Sequence, residues 1–143
     1  MKFLLKICLV LWFTGWISIL QGQYNFYHFT DDKGLPSNSL SSLLKDRNGF
    51  IWVATQKGIC RFDGKDFIYF DEENDHFPDL SQSDEFELYE DRQGIIWIGT
   101  KDQGLYCYDQ DLKKTVHFQH ASDDPKSLSD DFVNFVCEDA KGN

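Results

Sequence analysis

The chain has 143 residues, of which 16% are aromatic and 27% are charged, and its formal net charge at pH 7 is −10. Binding to nucleic acid phosphates or to an anionic membrane surface requires a basic protein surface, which this acidic chain does not supply. We therefore expect no nucleic acid as a direct partner of this region.

Residues 1–22 are predicted to form a secretory signal peptide. Lys2 and Lys6 give a basic head, and residues 7–20 are mostly apolar. This run is shorter than the about 20 apolar residues that a membrane-spanning helix needs. We therefore expect an exported, periplasmic chain of residues 23–143. Its formal charge is −12, because two lysines and no acidic residue are removed from a chain of charge −10.

The mature chain repeats itself with a period of about 45 residues. The sequence of residues 46–55, DRNGFIWVAT, recurs as DRQGIIWIGT at residues 91–100, and a third copy begins as DAKGN at residues 139–143. A fixed period of this length predicts a repeat architecture, in which copies of one supersecondary unit stack on each other.

Each repeat contains four short runs of β-branched and aromatic residues, separated by the Gly, Asn and Asp residues of tight turns. In the first repeat these runs are residues 39–45, 50–55, 59–62 and 67–70. The second run has apolar residues at both odd and even positions, which indicates a strand that is covered on both faces. Four such strands per period predict an all-β fold of β-propeller blades, each with four antiparallel strands.

The propeller is predicted to be incomplete, with about two blades and the first strand of a third. Its parts are a closing strand and loop at residues 24–34, blade 1 at 35–79, blade 2 at 80–127 and the start of blade 3 at 128–143. In closed propellers an N-terminal strand often completes the last blade, and a ring needs about four to eight blades. We therefore expect a truncated product or the N-terminal part of a longer protein. Alone, the mature chain is expected to fold poorly or to aggregate through unpaired strand edges.

An Asp-x-x-Gly-x-x-Trp motif recurs in both complete repeats. Its members are Asp46, Gly49 and Trp52 in the first repeat and Asp91, Gly94 and Trp97 in the second. The aspartate can bind backbone N–H groups of its own turn, the glycine supplies a positive φ angle, and the tryptophan ring can fill the wedge between blades. Residues that recur in every repeat usually serve the scaffold, so we interpret this motif as structural and not as catalytic.

The repeats resemble the two-component regulator propeller repeats. That repeat has a first strand followed by Asp-x-x-Gly-x-hydrophobic-Trp-hydrophobic-Gly-Thr, then Gly-hydrophobic and an aromatic-Asp pair. Residues 91–109 match it at these positions, and residues 46–63 match it with Ala54 in place of the usual glycine. The resemblance extends from about residue 24 to the end of the chain.

This resemblance implies a function in signal transduction. Such propellers form the periplasmic sensor region of Bacteroidetes-type hybrid two-component system histidine kinases, in which a β-sandwich, a membrane span, a kinase and a receiver follow. Many of these sensors respond to glycan fragments. The resemblance thus implies an oligosaccharide ligand, with the remaining blades and the downstream signalling domains as further partners, and possible homodimers of the complete protein. The signalling modules are missing from this sequence, so this chain itself is not expected to be an enzyme.

Loops that differ between the repeats form the predicted ligand-binding face, since recognition residues usually lie on loops held by a rigid frame. The candidate ligand-binding residues are Asn38, Gln56, Lys57, Lys101 and Asp102. His76 and His120 are weaker candidates, and because each is solitary no metal site is predicted. No catalytic residue and no cofactor are predicted. An ordinary solvent-exposed polar side chain is the alternative interpretation for each candidate.

Two other functions remain open. The first is a propeller enzyme of the lyase or glycosidase type, which would need a carboxylate pair, arginines or a nucleophile converging on the channel. Of the three arginines, Arg47 and Arg92 lie in turns at the opposite end of the blades from the variable loops. The second is a scaffold that binds other proteins.

The three cysteines of the mature chain, Cys60, Cys107 and Cys137, have no CxxC spacing. Cys60 and Cys107 lie in matching strands but one position out of register, so their side chains are predicted to point to opposite faces. We therefore expect buried, unreactive thiols and neither a disulfide framework nor a zinc site.

Overall fold

The computed structural model describes residues 25–70, 75–80 and 82–142 of the chain. The predicted signal peptide lies outside these ranges. The described part contains eight β-strands and a short 3-10 turn at Asp31–Lys33. In chain order the strands are β1 (Leu40–Lys45), β2 (Ile51–Thr55), β3 (Gly58–Phe62), β4 (Phe67–Tyr69), β5 (Phe86–Glu90), β6 (Ile95–Thr100), β7 (Leu105–Asp109) and β8 (Lys114–Phe118).

The eight strands form two antiparallel sheets of four. Blade 1 has the order β1-β2-β3-β4 and blade 2 has the order β5-β6-β7-β8, so every strand pairs with its neighbour in sequence. The two blades also share their register, because Trp52 pairs with Arg61 across β2 and β3 as Trp97 pairs with Cys107 across β6 and β7. The predicted all-β fold of four-stranded antiparallel blades is confirmed.

The main core lies between the two blades. Its buried members are Trp52, Ala54, Ile59, Phe77, Leu80, Phe86, Leu88, Ile96, Ile98, Tyr106 and Tyr108. The Trp52 ring is fully buried, stacks on Phe70 at a centroid distance of 4.9 Å, and meets Tyr108 of blade 2 edge-on at 6.3 Å. Burial of one large apolar side chain contributes about 1.5–3 kcal/mol. The tryptophan in the wedge is therefore a major contributor to the contact between the blades.

Serine side chains connect the inner strands of the two blades. Ser41 Oγ accepts a hydrogen bond from the backbone N–H of Phe86, and Ser42 Oγ accepts one from Leu88, both at 3.2 Å. β5 is an edge strand of its sheet, so N–H groups that do not pair with β6 need partners outside blade 2. The two serine hydroxyls are these partners, and their small side chains allow the inner strands of the two blades to lie close together.

The predicted closing strand is not found as a strand in the described residues. Residues 25–29 have no strand assignment, although Phe29 packs on blade 1, with ring centroids 4.9 Å from Phe62 and 5.6 Å from Phe67. A strand is defined by its ladder of hydrogen bonds to a neighbour. The predicted neighbour, in the last blade of a closed ring, is not among residues 25–142.

The predicted first strand of blade 3 has no strand assignment either. Residues 132–137 lie beside blade 2, where the Val133 N–H donates to the Thr100 carbonyl oxygen at 2.8 Å. The second strand of that blade, with which this segment would pair, is not among the described residues. The segment therefore occupies the position of an inner strand without the ladder that would define one.

Candidate ligand-binding face

The connections between strands lie at two opposite ends of the blades. Because neighbouring strands are antiparallel, the β2–β3, β4–β5 and β6–β7 connections lie at one end, together with the segment before β1. The β1–β2, β3–β4, β5–β6 and β7–β8 turns lie at the other. The connections at the first end differ in sequence between the repeats. We call this end the loop end and the opposite one the turn end.

A cavity of about 330 Å³ opens at the loop end of blade 1. Three aromatic residues, Tyr69, Phe70 and Phe77, form part of its wall, and Lys57 and Asp79 contribute opposite charges to it. Small-molecule sites typically combine apolar and aromatic walls with a few polar groups that fix the orientation of the ligand. This loop-end cavity has that composition.

Short hydrogen-bonded connections hold the loop-end cavity in shape. Thr55 Oγ1 donates to the Gly58 carbonyl oxygen at 2.9 Å and accepts from the Lys57 N–H at 3.2 Å, which braces the β2–β3 loop. The Tyr69 hydroxyl donates to the Gly34 carbonyl oxygen at 2.5 Å and so ties the outer strand to the segment before β1. Partial burial, followed by the neighbouring Cys60, raises the pKa of Tyr69 above that of a free phenol.

The candidate residues of the first repeat have different environments. Lys57 is exposed and lines the loop-end cavity, and Gln56 is exposed next to it in the same loop. Asn38 Nδ2 instead donates to Asp31 Oδ1 at 2.9 Å, and Asn38 Oδ1 accepts from the Asp31 N–H at 3.0 Å. The amide of Asn38 is thus used to close the loop before β1.

The candidate residues of the second repeat lie at a different place. Lys101 Nζ lies 3.4 Å from Glu85 Oε2 and 4.0 Å from Asp84 Oδ1, and it lines a separate cavity of about 80 Å³ beside β5. Asp102 is exposed in the same loop. Gln56 and Lys57 are sequence neighbours, of which Lys57 lines the loop-end cavity and Gln56 does not, and the structure does not bring the five candidates to one site.

The two histidine candidates are also separate. His120 Nδ1 lies 2.7 Å from the Leu128 carbonyl oxygen, and the His120 N–H donates to Asp131 Oδ1 at 2.7 Å, so this residue organises its own loop. His76 lines a wider cavity at the rim between the blades. Within the part of the chain that the structure describes, no three His, Cys, Asp or Glu residues are grouped to hold a metal ion.

Sequence reasoning missed most of the loop-end cavity. Tyr69 is not among the candidate residues predicted from the sequence, and neither are Phe77 and Asp79. These two flank Pro78, in a segment that has no counterpart of the same sequence after β8. The difference in sequence between the two repeats was the signal that could have identified this segment. Such a difference identifies a variable loop, but it does not predict the direction of the loop's side chains.

At the turn end, the motif aspartate organises its turn and the tryptophan together. Asp46 Oδ1 accepts from the N–H groups of Asn48 (3.0 Å) and Phe50 (2.9 Å), and Asp46 Oδ2 accepts from Trp52 Nε1 at 2.9 Å. Gly49 has a φ angle of 90°, which a side chain would disfavour. The carboxylate thus fixes the turn and the ring of Trp52, which fits a structural motif.

The second repeat has the same arrangement around Asp91. Its carboxylate accepts from the N–H groups of Gln93 (2.8 Å) and Ile95 (3.0 Å) and from Trp97 Nε1 at 2.8 Å. Partial burial alone would raise the pKa of Asp91, but the hydrogen bonds from Trp97, Ile95 and Gln93 together lower it. Gly94, with a φ angle of 93°, takes the position of the turn glycine.

An arginine after the turn aspartate joins blade 1 to blade 2. Arg47 Nε lies 3.0 Å from Glu90 Oε1, and the Arg47 N–H donates to Glu90 Oε2 at 2.8 Å. Arg47 also donates from its guanidinium to the Asp91 carbonyl oxygen at 2.8 Å. Glu90 is largely buried, with a side-chain exposure of 10%, so this pair is stronger than a fully solvated one.

The same contact recurs after blade 2. Arg92 Nε lies 3.5 Å from Glu138 Oε2, and its guanidinium donates to the carbonyl oxygens of Asp139 and Ala140, both at 3.1 Å. We call this arginine–glutamate contact the turn-end clasp. It was not predicted, because its partners are more than 40 residues apart and only the packing of successive blades brings them together.

The thiols should differ in reactivity. Burial raises the pKa of Cys60 to about 11, so this thiol is protonated at neutral pH. Cys137 is exposed, so the prediction of buried thiols is wrong for this residue. Thiolates are the reactive species. In a competition at pH 7.5, iodoacetamide is expected to modify Cys137 at least about tenfold faster than Cys60 in the folded protein. Mass spectrometry of digests checks this, with urea-unfolded protein as control; equal native rates would contradict it.

Two four-stranded sheets packed face to face through a buried tryptophan define neighbouring blades of a β-propeller. Residues 34–57 and 79–102 match the family model described as the two component regulator propeller. The chain therefore carries two repeats of the two-component regulator propeller family.

Similar proteins are much longer than this chain. A histidine kinase, P4, from Formosa agariphila is 31% identical over 97 residues, which make up 64% of this chain and 7% of the relative. The solved extracellular domain of a protein assigned as a hybrid two component system of B. thetaiotaomicron is 30% identical with a TM-score of 0.70, and the match covers 84% of this chain and 17% of that domain. Within the described ranges, no helix has the length and apolar character to span a membrane.

Proposed function

We propose that this chain is part of the periplasmic ligand-sensing propeller of a hybrid two-component sensor kinase. The observation that carries the proposal is the match of both blades to an extracellular domain of such a system over 84% of this chain. The family model and the histidine kinase relative support the same function. In this proposal the chain is exported and does no chemistry itself; kinase and output domains act downstream of it.

The ligand is proposed to be a glycan fragment that contacts the loop-end cavity. The Tyr69 ring, which is 53% exposed, can pack against the apolar C–H face of a sugar, whereas Phe70 and Phe77 stack on Trp52 and line the cavity from the core side. Lys57 can donate to sugar hydroxyls or carboxylates, and Asp79 can accept from hydroxyls. A wall that combines flat apolar surfaces with opposite charges suits a polyhydroxylated ring better than a purely apolar ligand.

The same cavity gives little support to an enzyme. Asp79 is the one carboxylate among its described lining residues, whereas glycoside hydrolysis uses a pair of carboxyl groups about 5–9.5 Å apart. Binding without turnover is therefore the function that this geometry favours. The oligosaccharide, the remaining blades and the downstream signalling domains are the proposed partners, and the complete protein is proposed to act as a homodimer.

Replacing Lys57 with alanine tests the ligand site. A hydrogen bond to a charged group contributes about 1.5–3 kcal/mol, so we expect Lys57→Ala to weaken glycan binding by about tenfold or more. Isothermal calorimetry of the exported protein with neutral and acidic oligosaccharides measures the affinity. Lys65→Ala is the matched control, because Lys65 lies in the β3–β4 turn at the turn end. Equal affinities of both variants would place the ligand elsewhere, and no binding of any oligosaccharide would contradict a glycan ligand.

A further inference from the structure

A second cavity adjoins the loop-end cavity at the outer rim between the blades. It is the cavity that His76 lines, its volume is about 720 Å³, and we call it the rim cavity. Three residues of the connection between β4 and β5 line both cavities, namely Phe77, Pro78 and Asp79. The two cavities therefore meet along this short segment of chain.

Backbone strain is concentrated at the rim cavity. Among the described residues, the two non-glycine residues with a positive φ angle are His76, at 50°, and Lys113, at 48°, and both line this cavity. A Cβ atom disfavours the left-handed conformation, and residues that keep it cluster at ligand sites and switch regions. The strain therefore marks the rim cavity as a candidate binding site.

Contacts between the two walls of the rim cavity hold these strained conformations. The Thr115 hydroxyl donates to the His76 carbonyl oxygen at 2.5 Å, and Lys113 Nζ lies 2.9 Å from Asp75 Oδ1. Both contacts join the connection after β4 to the β7–β8 hairpin. The shape of the cavity is thus fixed before a ligand arrives, which lowers the entropic cost of binding.

The β7–β8 hairpin, which forms one wall of the rim cavity, is longer than its counterpart in blade 1. Tyr108 pairs with Thr115 across residues 109–114, whereas the equivalent pair of blade 1, Phe62 and Phe67, encloses only residues 63–66. The longer turn contains Leu112, which is 73% exposed and lines the cavity. An insertion that is confined to one repeat maps to a loop, and such loops often carry a binding function.

The accessible groups of the rim cavity suit a sugar. His76 is exposed, and its imidazole can donate one hydrogen bond to a hydroxyl and accept another. Leu112 offers an apolar surface to a C–H face. Asp79 is exposed and lines both cavities, so its carboxylate can accept from hydroxyls on either side of residues 77–79.

We propose that the rim cavity is a second glycan subsite, so that the ligand is an oligosaccharide that lies across residues 77–79 and occupies both cavities. This inference rests on the proposed function and extends it to the length of the ligand. The rim cavity follows β7 from Tyr106 to beyond the end of the strand, which is about 10 Å at about 3.4 Å per residue. That distance exceeds one pyranose ring, so a ligand that fills both cavities has several sugar units.

The dependence of affinity on glycan length tests this proposal. Isothermal calorimetry of the exported protein is carried out with di-, tetra- and hexasaccharides of glucan, xylan, mannan, pectin and alginate. In each series that binds, we expect the tetrasaccharide to bind at least about tenfold more tightly than the disaccharide. Equal affinities for all lengths would overturn the second subsite alone, whereas no binding in any series would contradict the glycan function as a whole.

Two substitutions locate the subsite. Leu112→Ser changes an exposed side chain, and His76→Gly removes the imidazole but keeps the positive φ angle, which glycine adopts readily. We expect each to weaken tetrasaccharide binding by about fivefold and disaccharide binding by less than about twofold, whereas Lys57→Ala weakens both. Tetrasaccharide affinity that is unchanged in both variants, or that falls no more than the disaccharide affinity, would overturn the proposal. The Leu112 variant decides the result if His76→Gly alters the fold.

Discussion

Asp46→Ala is expected to lower the free energy of unfolding by about 3–4 kcal/mol. The substitution removes a carboxylate that accepts three hydrogen bonds and leaves the indole N–H of Trp52 without its acceptor. Asp46 is only 4% exposed and Trp52 is fully buried, so water cannot readily replace the lost bonds. Leaving one buried donor unsatisfied costs about 1–3 kcal/mol, and two backbone N–H groups lose their acceptor as well.

Urea unfolding of the exported protein, followed by circular dichroism, measures this effect. Trp52→Phe serves as the companion variant, because it removes the indole N–H but keeps an aromatic ring. If the indole bond is a large part of the contribution of Asp46, the double variant should lose about 1–2 kcal/mol less than the sum of the two single losses. A loss below about 1 kcal/mol for Asp46→Ala would show that the carboxylate is not what holds the turn and the ring together.

The repeat made the blades predictable because their folding information is local. The turn aspartate, the turn glycine and the tryptophan lie within seven residues, so a motif such as Asp46–Trp52 specifies its own geometry wherever it occurs. β3 and β4 were predicted within one residue of their observed ends, since turn residues bound them on both sides. The hydrogen bond from the indole to the aspartate was not predicted, although the same spacing in both repeats was its signal.

Segments that depend on another blade could not be predicted in the same way. The sequence of residues 25–29 has the composition of a strand, but its ladder would have to come from a partner far away in the chain. The turn-end clasp has the same character, because Arg47 meets Glu90 only after two blades have packed. Local pattern thus specified each sheet, while the contacts between sheets required the three-dimensional structure.

For the candidate ligand-binding residues too, the sequence alone could not show which side chains line a cavity. Lys57 and Asn38 are both polar residues in loops at the same end, yet one lines a cavity and the other is bound to Asp31. Composition cannot distinguish these two states, because an amide that closes a loop and a lysine that meets a ligand are equally hydrophilic. What separates them is the direction of the side chain, which depends on the path of each loop.

Gly104→Ala is expected to destabilise the protein by about 3–4 kcal/mol. Gly104 precedes β7 with a φ angle of 80°, and a Cβ atom there would lie 2.3 Å from the carbonyl oxygen of Phe118 in β8. That oxygen belongs to the backbone, so it can move only if the outer pair of strands of blade 2 shifts. Backbone strain at a positive φ angle costs about 1–3 kcal/mol, and an overpacked contact adds about 1–3 kcal/mol.

Gly58→Ala separates the two contributions. In both blades the carbonyl oxygen of this glycine accepts a hydrogen bond from the hydroxyl of the threonine that ends the previous strand, at 2.9 Å from Thr55 and 2.8 Å from Thr100. Gly58 is the first residue of β3 and takes this position in blade 1. Its φ angle is 111°, but a Cβ atom there would meet nothing within 4 Å. We therefore expect a loss of only about 1–2 kcal/mol in urea unfolding, from backbone strain alone. If both substitutions cost the same, the approach of β8 to Gly104 contributes nothing, and the β6–β7 loop must be able to relax away from the outer strand.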